Sequence, residues 1–232
     1  TTGNLLLSAL AGDLAINNTV KALAGDASLL ASGNITQSAT GNVTVGGAGN
    51  TLDVNAQNGT ITMTDGAVST ATGNIRYLAT GDISLSSLDS TGGDVLVDST
   101  GGNIINNSAT LVNVIGNNAQ LEASGAVGEP AGTNNGLLKT TVNTLAASAG
   151  TGGVYVANSQ TLDIGSIATI DVDRVGTNGV DTNQAGALLA GIQAGNGVVV
   201  TANGTLTVDQ PVQATTGNLL LSALAGDLAI NN

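Results

Sequence analysis

Cysteine, histidine, tryptophan and phenylalanine are absent from the 232 residues, and only two tyrosines, Tyr77 and Tyr155, and two prolines occur. Without cysteine, neither disulfides nor thiolate-bound metal can hold the chain together. Without histidine or cysteine, a catalytic base or nucleophile would have to be Asp, Glu, Lys or Ser. The scarcity of aromatic rings argues against the thick core of an ordinary globule, which relies on large side chains to fill the space between its layers. A chain that buries mainly Leu, Ile, Val and Ala needs a thin core with closely opposed walls, and a solenoid provides one.

Positive charge is almost as scarce. Lys21, Arg76, Lys139 and Arg174 stand against sixteen acids, for a net charge of −12. Four scattered cations cannot neutralise a run of phosphates, so neither nucleic acid nor an anionic membrane surface is an expected partner. The acidity is read as solubility and self-repulsion of a long exposed surface. No apolar run approaches the roughly 18 residues of a membrane span, so no membrane insertion is expected. No basic-then-apolar leader opens the chain, which leads to the expectation that both ends lie inside a longer polypeptide. Disorder would require low hydrophobicity and high charge, whereas 41% of the residues are hydrophobic and 9% charged.

What is present is repetition. Residues 1–18, TTGNLLLSALAGDLAINN, recur unchanged as residues 215–232, an offset of 214 residues. Residues 1–214 are therefore read as one tandem unit and 215–232 as the start of the next. Inside the unit, one glycine series runs Gly3, Gly25, Gly49, Gly73, Gly93, Gly116, and a second runs Gly12, Gly33, Gly59, Gly81, Gly102, Gly125. Both keep a mean spacing of about 22.6 residues, within the range that marks solenoids.

The segments after these glycines alternate with period two, as in Ile61-Thr62-Met63-Thr64 and Ile83-Ser84-Leu85. Such alternation places the apolar side chains on one face of a strand. The fold class that follows is all-β, a parallel β-helix solenoid with about nine rungs per 214-residue unit, each rung stacked roughly 4.8 Å above the last. Identical sequence is expected at an identical place in the coil, so the unit should contain a whole number of rungs. Leu5, Ala27 and Ile75 should share a ladder. Leu5, Leu7, Leu14, Ile16, Ile35, Ile61, Ile83, Leu85, Val95, Val97 and Ile104 should point inward. The corner glycines, Gly73 and Gly81 among them, should adopt positive φ. The segments 128–136 and 173–184 read as insertions, and 157–197 carries the weakest period. Within it, AGALLAGIQAG (185–195) is read as a strand with a corner, because three glycines in eleven residues oppose a helix.

The rungs TGNIRYLATGDISLSSLDSTGGDVLVDSTGGNI (72–104) and LKTTVNTLAASAGTGGVYVANSQTLDIGSI (138–167) resemble the large repetitive exoproteins of bacteria, the filamentous-haemagglutinin-like giant adhesins. The resemblance runs along nearly the whole chain in style rather than through one sharp motif. It implies a right-handed β-helical shaft, exported to the bacterial cell surface, that attaches cells to surfaces or to one another.

Chemistry-bearing constellations are few. Asp89, Asp94 and Asp98 cluster without a nearby cation in the sequence. Asp171, Asp173 and Arg174 alone combine both signs. Asp171 opens a segment like a calcium loop, but Val175 takes a ligand position and Thr182 replaces the bidentate acid. No catalytic, cofactor-binding or metal-ligating residue is assigned, and no enzyme activity is expected. The functional reading is a stiff spacer whose partners are adjacent identical units. The alternatives are a ligand- or glycan-binding module using Tyr77, Tyr155, Arg76 and Arg174, and a self-assembling filament subunit.

Overall fold

The computed structural model describes residues 1–132 and 136–232, and the described residues form thirty short strands and no helix. The strands stack into a β-solenoid of about ten turns. Over the first five turns each rung is a triangle with one long side and two short sides. The first rung is Leu5–Ala9, Leu14–Ile16 and Val20–Ala22, and the second is Ala27–Ala31, Ile35–Gln37 and Val43–Val45. Each side builds its own parallel sheet, because every strand pairs with its counterpart one rung away.

The expected ladder is present. Leu5 pairs with Ala27, Ala27 with Leu52, Leu52 with Ile75, and the column continues through Val95, Ala119 and Leu145. All eleven side chains expected to point inward belong to one core, with Leu5, Leu7 and Leu14 in the first rung only partly buried. This core is aliphatic apart from Met63 and one aromatic ring. Tyr77 is fully buried, and its hydroxyl lies 2.9 Å from Gln37 Oε1 and 2.7 Å from Ser69 Oγ. The phenol is held well above its ordinary pKa by burial.

The corners work differently from expectation. Gly73 and Gly81 do not have positive φ; the glycines that do include Gly47, Gly49, Gly66, Gly191 and Gly217. Close stacking is what requires glycine. A methyl group added at Gly93 would lie 2.6 Å from both Asn74 Oδ1 and the Gly73 carbonyl carbon, and one at Gly73 would run into the Gly49 carbonyl oxygen. The Asx residue after many of these glycines has a separate task, because a corner leaves backbone N–H groups without a ladder partner. Asn4 Oδ1 accepts from Asp26 N at 3.0 Å, Asn74 Oδ1 from Asp94 N at 2.9 Å, and Asp94 Oδ1 from Asn118 N at 3.0 Å. A second corner repeats the device through Asp13 to Asn34, Asn34 to Thr60, Asp82 to Asn103 and Asn103 to Ala126.

The triangle inverts in the back half. Val127 stacks on Ile104 of one short side, and Val154 stacks on Val127, while Val156 of the same strand stacks on Leu138 of the other short side. Val154–Asn158 thus merges two short sides into a new long one. The old long side divides: above Thr144–Ala149, Asp163-Ile164 covers the first part and Ile192–Ala194 the last. The long side has moved to the opposite side of the shaft. Val198–Ala202 and Leu219–Ala223 continue it there.

This corrects the whole-number expectation. Leu5–Ala9 starts the twelve-stranded sheet, whereas the identical Leu219–Ala223 ends the nine-stranded one. The repeated sequence keeps its role as a long strand and changes side, so the unit holds about eight and a half turns.

Where the old long side divides, residues 165–191 leave the coil. Leu189-Ala190 and Ile192–Ala194 are short strands joined through Gly191 at φ +69°, so 185–195 is a strand with a corner, as read. The excursion is wider than the expected insertion at 173–184. The other insertion, 128–136, falls partly outside the described residues.

Candidate functional site

The outward centre of the old long side is a column one residue wide: Leu6, Ser28, Asp53, Arg76, Leu96, Gln120 and Ala146. Such positions normally face water. Here Ser28, Asp53, Gln120 and Ala146 are fully buried, because residues 165–191 run back along the shaft as a strap. Ile167, Ile170 and Leu189 of the strap pack on Leu96 and Ala146 as a small second core. Gln120 Nε2 donates to the carbonyls of Ile167, Ala168 and Ala187 at 2.9–3.2 Å.

Further along, the strap becomes an antiparallel hairpin, Val172–Val175 with Asp181–Gln184. Asn74 Nδ2 donates to Asp171 O, Asp173 N to Thr51 Oγ1, and Val175 N to Ser28 Oγ, each at 2.9 Å. Asn4 Nδ2 of the first rung donates to Asp181 Oδ2 at 2.6 Å. One excursion therefore ties together rungs from the seventh to the first.

Charge locks the hairpin. Arg76 donates to Asp53 Oδ1 through Nε at 2.9 Å, and Arg174 Nε donates to Asp53 Oδ2 at 2.6 Å. A fully buried carboxylate is tolerable only with such partners, and two guanidiniums supply planar donors to both of its oxygens. The next column outward places Asp98 beside Glu122. Burial raises the pKa of Asp98 against an opposing effect from Arg76, and burial together with Asp98 raises that of Glu122. A 270 Å³ groove lies along the strap here, lined by Arg76, Leu78, Leu96, Asp98, Glu122 and Ala185 among others. A groove lined by Asn143, Gln160 and Asp163 measures 330 Å³. Both lie close to the lower bound of ordinary small-molecule sites, about 300 Å³.

The clusters read from the sequence disperse. Asp89 lies on a former short side, Asp94 caps a corner and Asp98 lies on the long side. Asp98 does have a cation near it, Arg76, from the rung before. Arg174 turns to Asp53 rather than to Asp171 or Asp173. Burial raises the Asp173 pKa, and Asp26, Asp181 and Asp171 add to the shift. The calcium-loop segment is a paired hairpin, and among the described residues no group of three or more metal-type ligands converges.

Of the side chains expected to serve recognition, Tyr77 is in the core and Arg76 is 7% exposed. Tyr155, half-buried on the new long side, keeps an outward position. The Asp53–Arg76 pair was missed, although its signal was present: opposite charges one coil period apart stack on the same side. Its partner Arg174 carried no such signal, because the strap does not follow the period.

No family model, curated protein or solved structure matches the chain. Among the described residues, no helix is long and apolar enough to cross a membrane.

Proposed function

We propose that the chain is a segment of a stiff shaft, made of tandem units stacked with an unbroken β-ladder, that serves as a spacer in a giant secreted bacterial surface protein. The resemblance to filamentous-haemagglutinin-like exoproteins supports the class and the location. The stacking is supported by one observation: the two copies of the 18-residue sequence are each covered from a different side.

The first copy has a rung above it, and its Ile16 is 3% exposed, whereas the equivalent Ile230 is 63% exposed. The second copy has a rung below it. Methyl groups added at Gly217 and Gly226 would approach Asn196 Oδ1 to 2.5 Å and Thr205 N to 2.6 Å, whereas at the equivalent Gly3 and Gly12 nothing lies within 4 Å. One sequence thus carries apolar residues that need a rung above and glycines that need a rung below. Both requirements are met together only by a rung inside a continuous stack. Parallel ladders and an aliphatic core over many turns resist bending, because each rung bears on its neighbours.

Sedimentation velocity over a range of concentrations tests the stacking. Elongated end-to-end species should grow with concentration, and Gly12→Val should suppress them while leaving the circular dichroism of the monomer unchanged. A chain that stays monomeric throughout, with a flexible joint in a protein of two tandem units, would defeat the proposal.

A further inference from the structure

We infer that successive units of the shaft are turned by half a turn, so that their straps alternate between opposite sides. This rests on the tandem-shaft reading above. The turn itself comes from the inversion of the triangle within the unit. The second copy opens with the same long strand as the first, and that strand lies on the other side of the shaft. The residues that follow it in the next unit should repeat the packing that follows Leu5–Ala9, because they repeat its sequence.

The strap of the next unit should then run back to the column that contains Leu220. That column stacks Tyr155, Val199 and Leu220. Leu220 is exposed, whereas its counterpart Leu6, in the rung that the strap of this unit reaches, is partly buried. The anchor for the strap also recurs, since Asn218 repeats Asn4, whose amide holds Asp181. The pattern should therefore repeat every two units, about 17 rungs or about 80 Å of shaft.

The arrangement has a mechanical consequence. A strap adds packing to one side of the rungs it crosses. If every strap lay on one side, any bend it imposed would accumulate along the shaft; with straps on opposite sides the bends cancel. It also has a consequence for recognition. The strap, its hairpin and the groove along Asp98 and Glu122 would face both ways, so a partner that reads this surface finds it on either side of the fibre.

Two experiments decide it. The chain has no native cysteine, so introduced pairs report without background. Thr201→Cys with Ser222→Cys, neighbours on the new long side, should form a disulfide on mild oxidation, and Gln213→Cys with Ser222→Cys, which would be neighbours if the repeated strand stayed on the side of Ser8, should not. The reverse result would overturn the half turn within the chain itself. The second is cryo-electron microscopy of a protein with three tandem units. A continuous shaft with straps on alternating sides is expected. A continuous shaft with all straps on one side would overturn this inference and leave the spacer reading standing, whereas separate beads on flexible joints would remove both.

Discussion

Replacing Asp53 by Asn should release the strap before it unfolds the shaft. Asp53 has 0% side-chain exposure and receives both Arg76, 9% exposed, and Arg174, 21% exposed. Asparagine keeps the shape, removes the charge and turns an amide toward two guanidiniums. Breaking a buried ion pair by removing one partner costs about 3–5 kcal/mol, because the other charge stays buried and unpaired. Arg174 can escape by lifting the hairpin into water; Arg76, rooted in the long side, cannot follow it. Much of the cost should therefore be relieved by local detachment, which needs only the loss of a few hydrogen bonds of roughly 1 kcal/mol each.

Hydrogen exchange reads this directly. The amides of Asp173 and Val175, which donate to Thr51 and Ser28, should lose protection in Asp53→Asn, while ladder amides in Ile75–Ala79 keep theirs. Urea denaturation should show a loss of at least about 2 kcal/mol. Arg174→Ala leaves the Arg76–Asp53 pair intact and should cost about 1–2 kcal/mol, with the same local exchange. If Asp53→Asn unfolds within about 0.5 kcal/mol of the wild type and its strap amides stay protected, the carboxylate does not anchor the hairpin.

Tyr77→Phe removes a core hydroxyl that bonds Gln37 and Ser69; urea denaturation should show a loss of about 1–2 kcal/mol, and no loss would mean the polar trio does not stabilise the core. Gly73→Ala needs no change of φ but drives a methyl group into the rung below, so it should cost about 1–3 kcal/mol by urea denaturation, whereas Gly12→Ala in the isolated chain should cost less than about 1 kcal/mol. Asp98 and Glu122 have raised pKa values and so bind protons more readily folded than unfolded. Their contribution is greatest below the ordinary carboxylate pKa, near 4, and is lost as pH rises through their folded values. The Tm contribution of this pair should fall as pH rises from about 4 to 7, and Glu122→Gln should raise the Tm at pH 7 and narrow the difference; a Glu122→Gln variant with the same pH dependence as the wild type would contradict the assignment.

Much of this protein is local and could be read without coordinates. A coil of constant period needs glycine wherever backbone crosses backbone, and an apolar residue wherever a strand faces the axis. Both needs recur every rung, so Gly25, Gly33, Ile35 and Ile61 announce themselves by spacing alone. The thin core followed from the missing aromatic rings, and the single buried exception, Tyr77, could not be told from a surface tyrosine because its partners Gln37 and Ser69 come from other rungs and other sides. The reason for corner glycines such as Gly73 and Gly93 was likewise hidden: proximity of one rung to the next, rather than the dihedral angle that Gly49 does require, decides them. Residues 165–191 break the period, and nothing in their order states which rungs they cross. Their place is decided by a column of outward residues, Ser28, Asp53, Arg76, Leu96 and Gln120, scattered over five rungs and aligned only when the coil is wound. The side on which the second copy emerges is tertiary for the same reason. Period determines how many residues make a turn, but the corner at which the chain bends is chosen by packing, and one corner lost and another gained moved the repeated strand across the shaft.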